Sequence, residues 1–225
     1  TDPNLKICRT GLFHVKQRLF AAAEFQTATN VSRETLDRCK IYVDLLHEWS
    51  GRMNLVARST LDDVWHRHML DSAQLFPLIP VGTKTLVDLG SGAGFPGLLM
   101  SIMGISGVHL VESTGKKALF LQTVVNETGI SAKIHNDRIE ALRPFIADVI
   151  TARALAPLDK LLNYAAPFSG PNTLHLYHKG QHVGHELTKA HKIWNIKVDL
   201  IPSSTDPQGS VLSVCEVSRV KPDRF

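Results

Sequence analysis

The sequence is poor in cysteine and in long apolar runs, and each shortage removes a class of protein. Its three cysteines, Cys8, Cys39 and Cys215, are odd in number and far apart, with no Cys-x-x-Cys pair. That pattern excludes a disulfide framework and a zinc ribbon, leaving reduced structural thiols as the expectation. No apolar stretch approaches the roughly 20 residues needed to span a bilayer, so no membrane partner is expected. Residues 1–18 carry charges where a secretory signal needs an apolar stretch, and the expected compartment is the cytoplasm. Eleven histidines are present, but His66 and His68 lack a third ligand at metal-binding spacing, so no metal is expected. Internal repeats, low-complexity segments and an arginine-rich arm are absent too. Basic residues such as Arg52, Arg58, Arg143, Lys189 and Lys192 are dispersed, and the formal charge is only +4, compatible with a polyanionic partner without demanding one.

What is present divides near residue 80. With 225 residues, 44% of them hydrophobic, the chain can bury one large domain or a domain with an extension. Residues 1–80 read as a helical extension. Ser32 is placed to cap a helix whose apolar positions Leu36, Cys39, Val43 and Leu46 recur at helical spacing and which ends near Trp49, before Gly51. Thr60 with Asp63 predicts the start of a second helix, with Val64, His68, Asp71 and Leu75 on one stripe and Pro77 and Pro80 closing it.

Residues 81–225 change to short apolar strands alternating with helices, the signature of a parallel sheet covered on both faces. Strands are predicted at 85–89, 108–111, 132–135, 148–152, 174–177, 197–201 and 211–217, and helices at 97–103, 116–128 (stopped by Gly129), 158–165 and 183–194. Only the last two strands lack room for a crossover helix, so they should pair antiparallel.

The most informative stretch runs from Leu86-Val87-Asp88-Leu89 through Gly90-Ser91-Gly92-Ala93-Gly94 to Phe95-Pro96-Gly97. It reads as a buried strand entering a glycine-rich turn, where missing Cβ atoms permit positive φ and close approach to a ligand. Pro96 suits the first turn of the next helix. Gly92-x-Gly94-x-x-Gly97 satisfies the dinucleotide fingerprint, which opens a nicotinamide or flavin reading. Asp88 favours S-adenosylmethionine, because a strand-end carboxylate serves a sulfonium, an ammonium and ribose hydroxyls better than a pyrophosphate. A turn that merely packs helix on strand is the bland alternative.

Ligands of an open parallel sheet sit beyond the strands' carboxyl ends. Strand two delivers Glu112 there, 18 residues past Gly94, a separation that suits an acid on adenosine ribose hydroxyls; capping of the helix before Lys116 is the alternative. Asp137-Arg138-Ile139-Glu140 follow strand three. Strand four runs into Arg153, for which an ion pair with Asp148 or Asp159 is the alternative to a ligand contact.

These motifs, with Trp49-Ser50-Gly51-Arg52-Met53-Asn54-Leu55, His68-Met69-Leu70-Asp71-Ser72, Glu112-Ser113, Lys116-Lys117, Phe120-Leu121, Arg138-Ile139-Glu140, Arg153-Ala154 and Lys179-Gly180, resemble the bacterial 16S rRNA (guanine-N7) methyltransferases of the RsmG, or glucose-inhibited division protein B, family. The resemblance covers roughly residues 40–195. It implies an α/β fold: a seven-stranded Rossmann-like class I methyltransferase sheet, mostly parallel with the last strand antiparallel. It also implies S-adenosyl-L-methionine as cofactor, 16S rRNA in the small ribosomal subunit as partner, and a monomer. Carried over, it places the donor against Gly90, Gly92, Gly94 and Phe95, the adenine beside Ile139 and Glu140, and Arg153 near the reacting end. Phe95 and Ile139 also read as plain core residues.

Two departures concern the substrate side. Gly209-Ser210-Val211 stand where the family commonly has an arginine opening the last strand, and Lys117 replaces a usual arginine, keeping the charge without the bidentate fork. N7 of guanine carries no proton, so the implied reaction needs orientation and no general base. Thr151-Ala152-Arg153-Ala154 indeed lacks an Asn/Asp-Pro-Pro-aromatic motif. Arg153 is then expected to position the guanine. His68 and Asp71 are expected as a hydrogen-bonded pair beneath the site or as a structural tie, and Lys116, Lys117, Arg138 and Lys179 as phosphate contacts or solvated charges. A non-catalytic RNA-binding or ribosome-assembly factor and a NAD-dependent oxidoreductase are the rival classes.

Overall fold

The computed structural model describes residues 20–220; the charged segment 1–18, the start of the helical extension and Cys8 lie outside the described residues. Helix α1 (Ala22–Thr29) precedes α2 (Arg33–Ser50). Ser32 caps α2 as its sequence predicts, its hydroxyl accepting from the Thr35 amide at 3.1 Å. Leu36, Cys39, Val43 and Leu46 are all buried along one face, joined by Tyr42.

The second predicted helix is not regular. A 3-10 turn (Arg58–Thr60), a π-helical stretch (Trp65–Leu70), the single turn α3 (Asp71–Ala73) and another 3-10 turn (Phe76–Leu78) replace it. Thr60 caps no helix here: it ends a 3-10 turn, its hydroxyl donating to the Ala57 carbonyl at 2.7 Å. The π stretch holds an extra residue per turn, a feature that recurs at functional sites, and brings His68 and Asp71 together against the end of the sheet.

From Leu86 the chain alternates: β1 (Leu86–Leu89), α4 (Gly97–Ile102), β2 (Val108–Val111), α5 (Gly115–Thr128), β3 (Ala132–His135), β4 (Ala147–Arg153), α6 (Leu158–Ala165), β5 (Ser169–Lys179), α7 (Val183–Ala190), β6 (Trp194–Pro202) and β7 (Ser210–Arg219). Pro96 stands at the N-cap of α4, one residue before its expected place, and Gly129 ends α5 in the left-handed conformation as expected. The helix predicted to reach Trp194 stops at Ala190. Trp194 instead opens β6, its ring buried and covered by the Arg219 guanidinium at 4.1 Å.

The seven strands form one sheet in the order β3-β2-β1-β4-β5-β7-β6. The first five are parallel, while β7 is antiparallel to both β5 and β6. The expected α/β class and antiparallel last strand are therefore found. The hairpin also folds back so that the final strand lies inside the sheet and β6 takes the edge, an order that pattern alone did not specify.

Each face of the sheet carries its own core. One joins Leu86, Leu110 and Val149 to Leu98 and Phe120, and continues without interruption into Phe25, Tyr42, Leu46, Met69 and Leu75 of the preceding helices. The other joins Val87, Val111, Ile150 and Tyr177 to Leu158, Leu162 and Trp194. Burying a large apolar side chain contributes about 1.5–3 kcal/mol, so fully buried Phe25, Tyr42 and Leu46 fix the helical segment firmly on the sheet.

Candidate active site

Above the carboxyl ends of β1, β2 and β4 the glycine loop borders a cavity of about 300 Å³ lined by Gly90, Gly92, Glu112, Lys117, Arg138, Ile139 and Glu140, with Leu155 and Tyr164 opposite. Gly90 has φ +66°, and a Cβ there would lie 2.6 Å from a Leu155 methyl. The absent side chain thus lets Leu155 close over the turn. Glu112 organises the floor: Oε2 accepts from the Gly92 amide at 2.9 Å and Oε1 from the Thr114 amide at 2.7 Å. The carboxylate ties the loop to β2 and to the residue that opens α5, and it lines the cavity.

The loop is held from beneath. Tyr42, on α2, donates from its hydroxyl to the Ala93 carbonyl at 2.6 Å. Gly94 has φ +99°, and a Cβ there would press on Leu98 and, at 2.8 Å, on the Tyr42 hydroxyl oxygen. Gly94 and Phe95 therefore support the loop and do not line the cavity. Asp88 is also removed from it: fully buried, it accepts from Thr151 at 2.7 Å through Oδ1, while Oδ2 faces the Gly97 amide outside hydrogen-bond geometry. Burial pushes its carboxyl up to about 6, against the pull of the Thr151 hydrogen bond. Asp88 thus sits under the turn, bonded to Thr151 and lining neither cavity.

A second cavity of about 480 Å³ adjoins the first, and Ala154 lines both. Arg153, Arg67, His68, Asp71, His178 and Lys179 surround it together with the β6–β7 turn. Arg153 Nη1 donates to Asp71 Oδ2 at 3.1 Å, Nη2 lies 3.0 Å from His68 Nδ1, and the guanidinium covers the Phe95 ring at 4.9 Å. Asp71, supplied by a distant segment, is the partner of Arg153. Asp148 does not pair with it, because that carboxylate accepts from the Lys84 and Thr85 amides. His68 and Asp71 are likewise joined through Arg153 and make no bond to each other.

The donors around His68 fix its tautomer. A guanidinium only donates, so Nδ1 accepts and Nε2 carries the proton, which it gives to Thr60 Oγ1 at 2.7 Å. Burial, reinforced by Arg153, pushes the imidazolium down to about 4, in keeping with a neutral ring. Burial acts to raise the Asp71 carboxyl, but His178, Arg153 and the Thr205 hydroxyl outweigh it and hold it below the ordinary carboxylate range. His178 donates from Nε2 to the Asp71 carbonyl at 2.8 Å, and burial lowers its basicity too. The result is a neutralised, rigid arginine with its ring-stacked plane preset.

The sequence-predicted residues thus fall into two groups around Ala154. Gly90, Gly92, Glu112, Ile139 and Glu140, with Lys117 and Arg138, line the smaller cavity; Arg153, His68 and Lys179 line the larger. Lys116 is exposed on the first turn of α5 and lines neither. Lys179 is no free phosphate contact: its ammonium donates to Glu186 at 2.8 Å and to the Ala156 carbonyl at 2.7 Å. Tyr42, Leu155 and Tyr164 escaped sequence reasoning, as none belongs to a spaced motif, and of the β6–β7 turn only Gly209 and Ser210 stand out in the sequence; only the glycine at 90 hinted that something must cover it. Among the described residues no group of three or more metal-ligating side chains converges, and no helix is long and apolar enough to cross a membrane.

Comparison with known proteins agrees with this geometry. The family model described as rRNA small subunit methyltransferase G matches residues 35–208. A protein of Rhodospirillum centenum named ribosomal RNA small subunit methyltransferase G is 52% identical over 199 residues, 88% of this chain and 92% of its own length. A protein of the same name from Paramagnetospirillum magneticum is 53% identical over 196 residues, 87% of this chain and 96% of its own. Among solved structures, a SAM-dependent methyltransferase from Aquifex aeolicus superposes with a TM-score of 0.55 at 17% identity, covering 69% of this chain and 95% of its own. A mutant of MtNAS, solved in complex with S-adenosylmethionine, gives 0.54 at 14% identity, covering 87% of this chain and 84% of its own. These structures share the fold.

Proposed function

This chain belongs to the rRNA small subunit methyltransferase G family, and from that premise we propose that it transfers a methyl group from S-adenosyl-L-methionine to N7 of a guanosine in 16S rRNA of the small ribosomal subunit. It acts as a cytoplasmic monomer, with residues 81–225 as the transfer domain and residues 1–80 as the helical extension. The observation that carries the reading is the pair of adjoining cavities meeting at Ala154: one has the chemistry of a nucleoside cradle, the other that of an anchored arginine facing a base-sized space.

The smaller cavity fits the donor. Gly90 and Gly92 allow close backbone approach, the lone pairs left on Glu112 accept from ribose hydroxyls, and Ile139 with Glu140 flanks the adenine. Gly94 and Phe95 hold the loop from below. When bound, S-adenosylmethionine supplies an electrophilic methyl on a sulfonium. The protein's own work is orientation: it must present the base's N7 in line at about 3–3.5 Å. N7 is a lone-pair acceptor without a proton, so no side chain need act as base. Arg153 holds the guanine through O6 or an adjoining phosphate, and Asp71, His68 and Phe95 keep the guanidinium from reorienting. Its pairing with Asp71 also limits repulsion of the charge that moves onto the purine during transfer. Lys116, Lys117 and Arg138 meet phosphates at the rim, whereas Lys179 holds the wall through Glu186.

The test is to incubate the protein with labelled S-adenosylmethionine and small subunits or their naked RNA, digest the RNA and identify the labelled nucleoside. Label in 7-methylguanosine is expected. Tight RNA binding without label in any nucleoside would contradict the proposal and favour a non-catalytic assembly factor.

A further inference from the structure

The larger cavity holds a carboxylate that the reading above leaves unused. Asp206 sits at the turn between β6 and β7 and lines the cavity. Its Oδ1 accepts from the Gln208 amide at 3.0 Å, and among the described residues Oδ2 accepts from nothing and no cation pairs with it. The other carboxylate lining this space, Asp71, is saturated by Arg153, Thr205 and Gln74. A carboxylate in a pocket for RNA opposes the phosphate backbone, and the open oxygen of half-exposed Asp206 is available to a ligand group that donates.

The turn is held rigidly. Thr205 donates to Asp71 Oδ1 at 2.8 Å, the Ser204 amide to Gln74 Oε1 at 3.0 Å, and the Asp206 amide to Ser203 Oγ at 3.3 Å. The same Asp71 that anchors Arg153 therefore anchors the turn bearing Asp206. Strand order fixes where the two stand. Ala154 follows β4, and β7 lies two strands away, across β5, or about 10 Å at ordinary strand spacing. A base that enters with its N7 edge at Ala154 and its long axis along this line turns its opposite edge toward the β6–β7 turn. In guanine that edge carries the N1–H and N2–H donors, whereas adenine presents an acceptor at N1.

We propose that Asp206 is a specificity-determining residue that reads the guanine Watson–Crick edge, its carboxylate accepting from N1–H and N2–H of a base turned out of the RNA. Extruded bases are commonly read at this edge, and a site built around such donors rejects a base that lacks them. The inference rests on the methyltransferase reading. It goes further by giving the hairpin turn the task of choosing the base.

The test is Asp206→Asn in the full chain. The amide oxygen can still accept from Gln208, but the second position becomes a donor facing donors and the negative charge is gone. Methyl transfer to small-subunit RNA should lose at least about tenfold in kcat/KM, the cost of a charged hydrogen bond replaced by an opposed pair. Donor affinity, measured by calorimetry without RNA, should change less than about twofold. If Asp206 reads nothing, removing a negative charge from an RNA-facing wall should leave kcat/KM unchanged or raise it, and either result overturns the proposal. So does a parallel loss of donor affinity, which would make the residue merely structural. If the methyltransferase reading itself fails, the unsubstituted protein transfers nothing, an outcome distinct from all of these.

Discussion

The two cavities that meet at Ala154 are built by different means. The smaller has a backbone floor: Gly90, Gly92 and the amides held by Glu112 come from one strand-turn-helix unit and the next strand end, with Ile139, Glu140, Leu155 and Tyr164 closing it. The larger is shaped by side chains drawn from the irregular 58–78 segment, the ends of β4 and β5, and the β6–β7 turn. Backbone geometry follows from local sequence, so the first site is sensitive to any Cβ placed on its glycines. The second depends on side-chain ion pairs, Arg153 with Asp71 across 82 residues and Lys179 with Glu186 seven residues on, and is sensitive to charge.

That contrast can be broken at four points. The largest effect should come from Gly90→Val. A branched side chain must displace Leu155 and occupy a positive-φ site, costing about 1–2 kcal/mol in backbone alone; donor binding should fall below detection in calorimetry while the fold persists by circular dichroism. Asp71→Asn should come next. Leaving Arg153 without its counter-charge should cut kcat/KM for RNA by about tenfold to a hundredfold, less than breaking a fully buried ion pair costs because this one keeps some exposure, with donor affinity nearly unchanged.

Tyr42→Phe sharpens the comparison, because it tests whether the helical segment belongs to the donor side. Loss of one buried hydrogen bond costs about 1 kcal/mol, and donor affinity should weaken by about fivefold with kcat at saturating donor retained. The smallest effect on activity concerns His68. Its imidazole is held neutral with the pKa lowered from 6.5 to about 4, so the unfolded chain binds the extra proton between those values. Its contribution is therefore present above pH 6.5 and lost as pH falls toward 4. At 1.36 kcal/mol per unit this amounts to about 3 kcal/mol. Urea melts of His68→Gln should show a shallower decline of stability over that window than the unsubstituted protein, with little difference in rate between pH 7 and 8.

Which parts of this were legible in the sequence follows the same division. The 86–97 stretch fixes both a buried strand and the φ values of the turn after it, so the convergence of Gly90, Gly92 and Glu112 on one cavity could be read from spacing. Arg153 could be placed at a strand end but not paired, since Asp71 is 82 residues away and nothing local distinguishes it from Asp148. The break in the helix after Thr60 was hidden because the apolar stripe of Val64 and Leu75 suits a regular helix, and π distortion arises from tertiary contacts of His68 and Asp71. The insertion of β7 between β5 and β6 is likewise set by which edge remains open once the parallel strands have formed, a property of the assembled sheet. Tyr42 looked like one more core position until its hydroxyl met the Ala93 carbonyl.

Whether donor and acceptor are handled in separate cavities is tested by donor affinity in calorimetry, without RNA, for Glu112→Ala and Arg153→Ala side by side. Separate cavities predict that Glu112→Ala weakens S-adenosylmethionine binding by at least about thirtyfold, the scale of one charged hydrogen-bonding group, while Arg153→Ala stays within about threefold of the unsubstituted protein. Equal losses in the two variants, or a larger loss from Arg153→Ala, would contradict it.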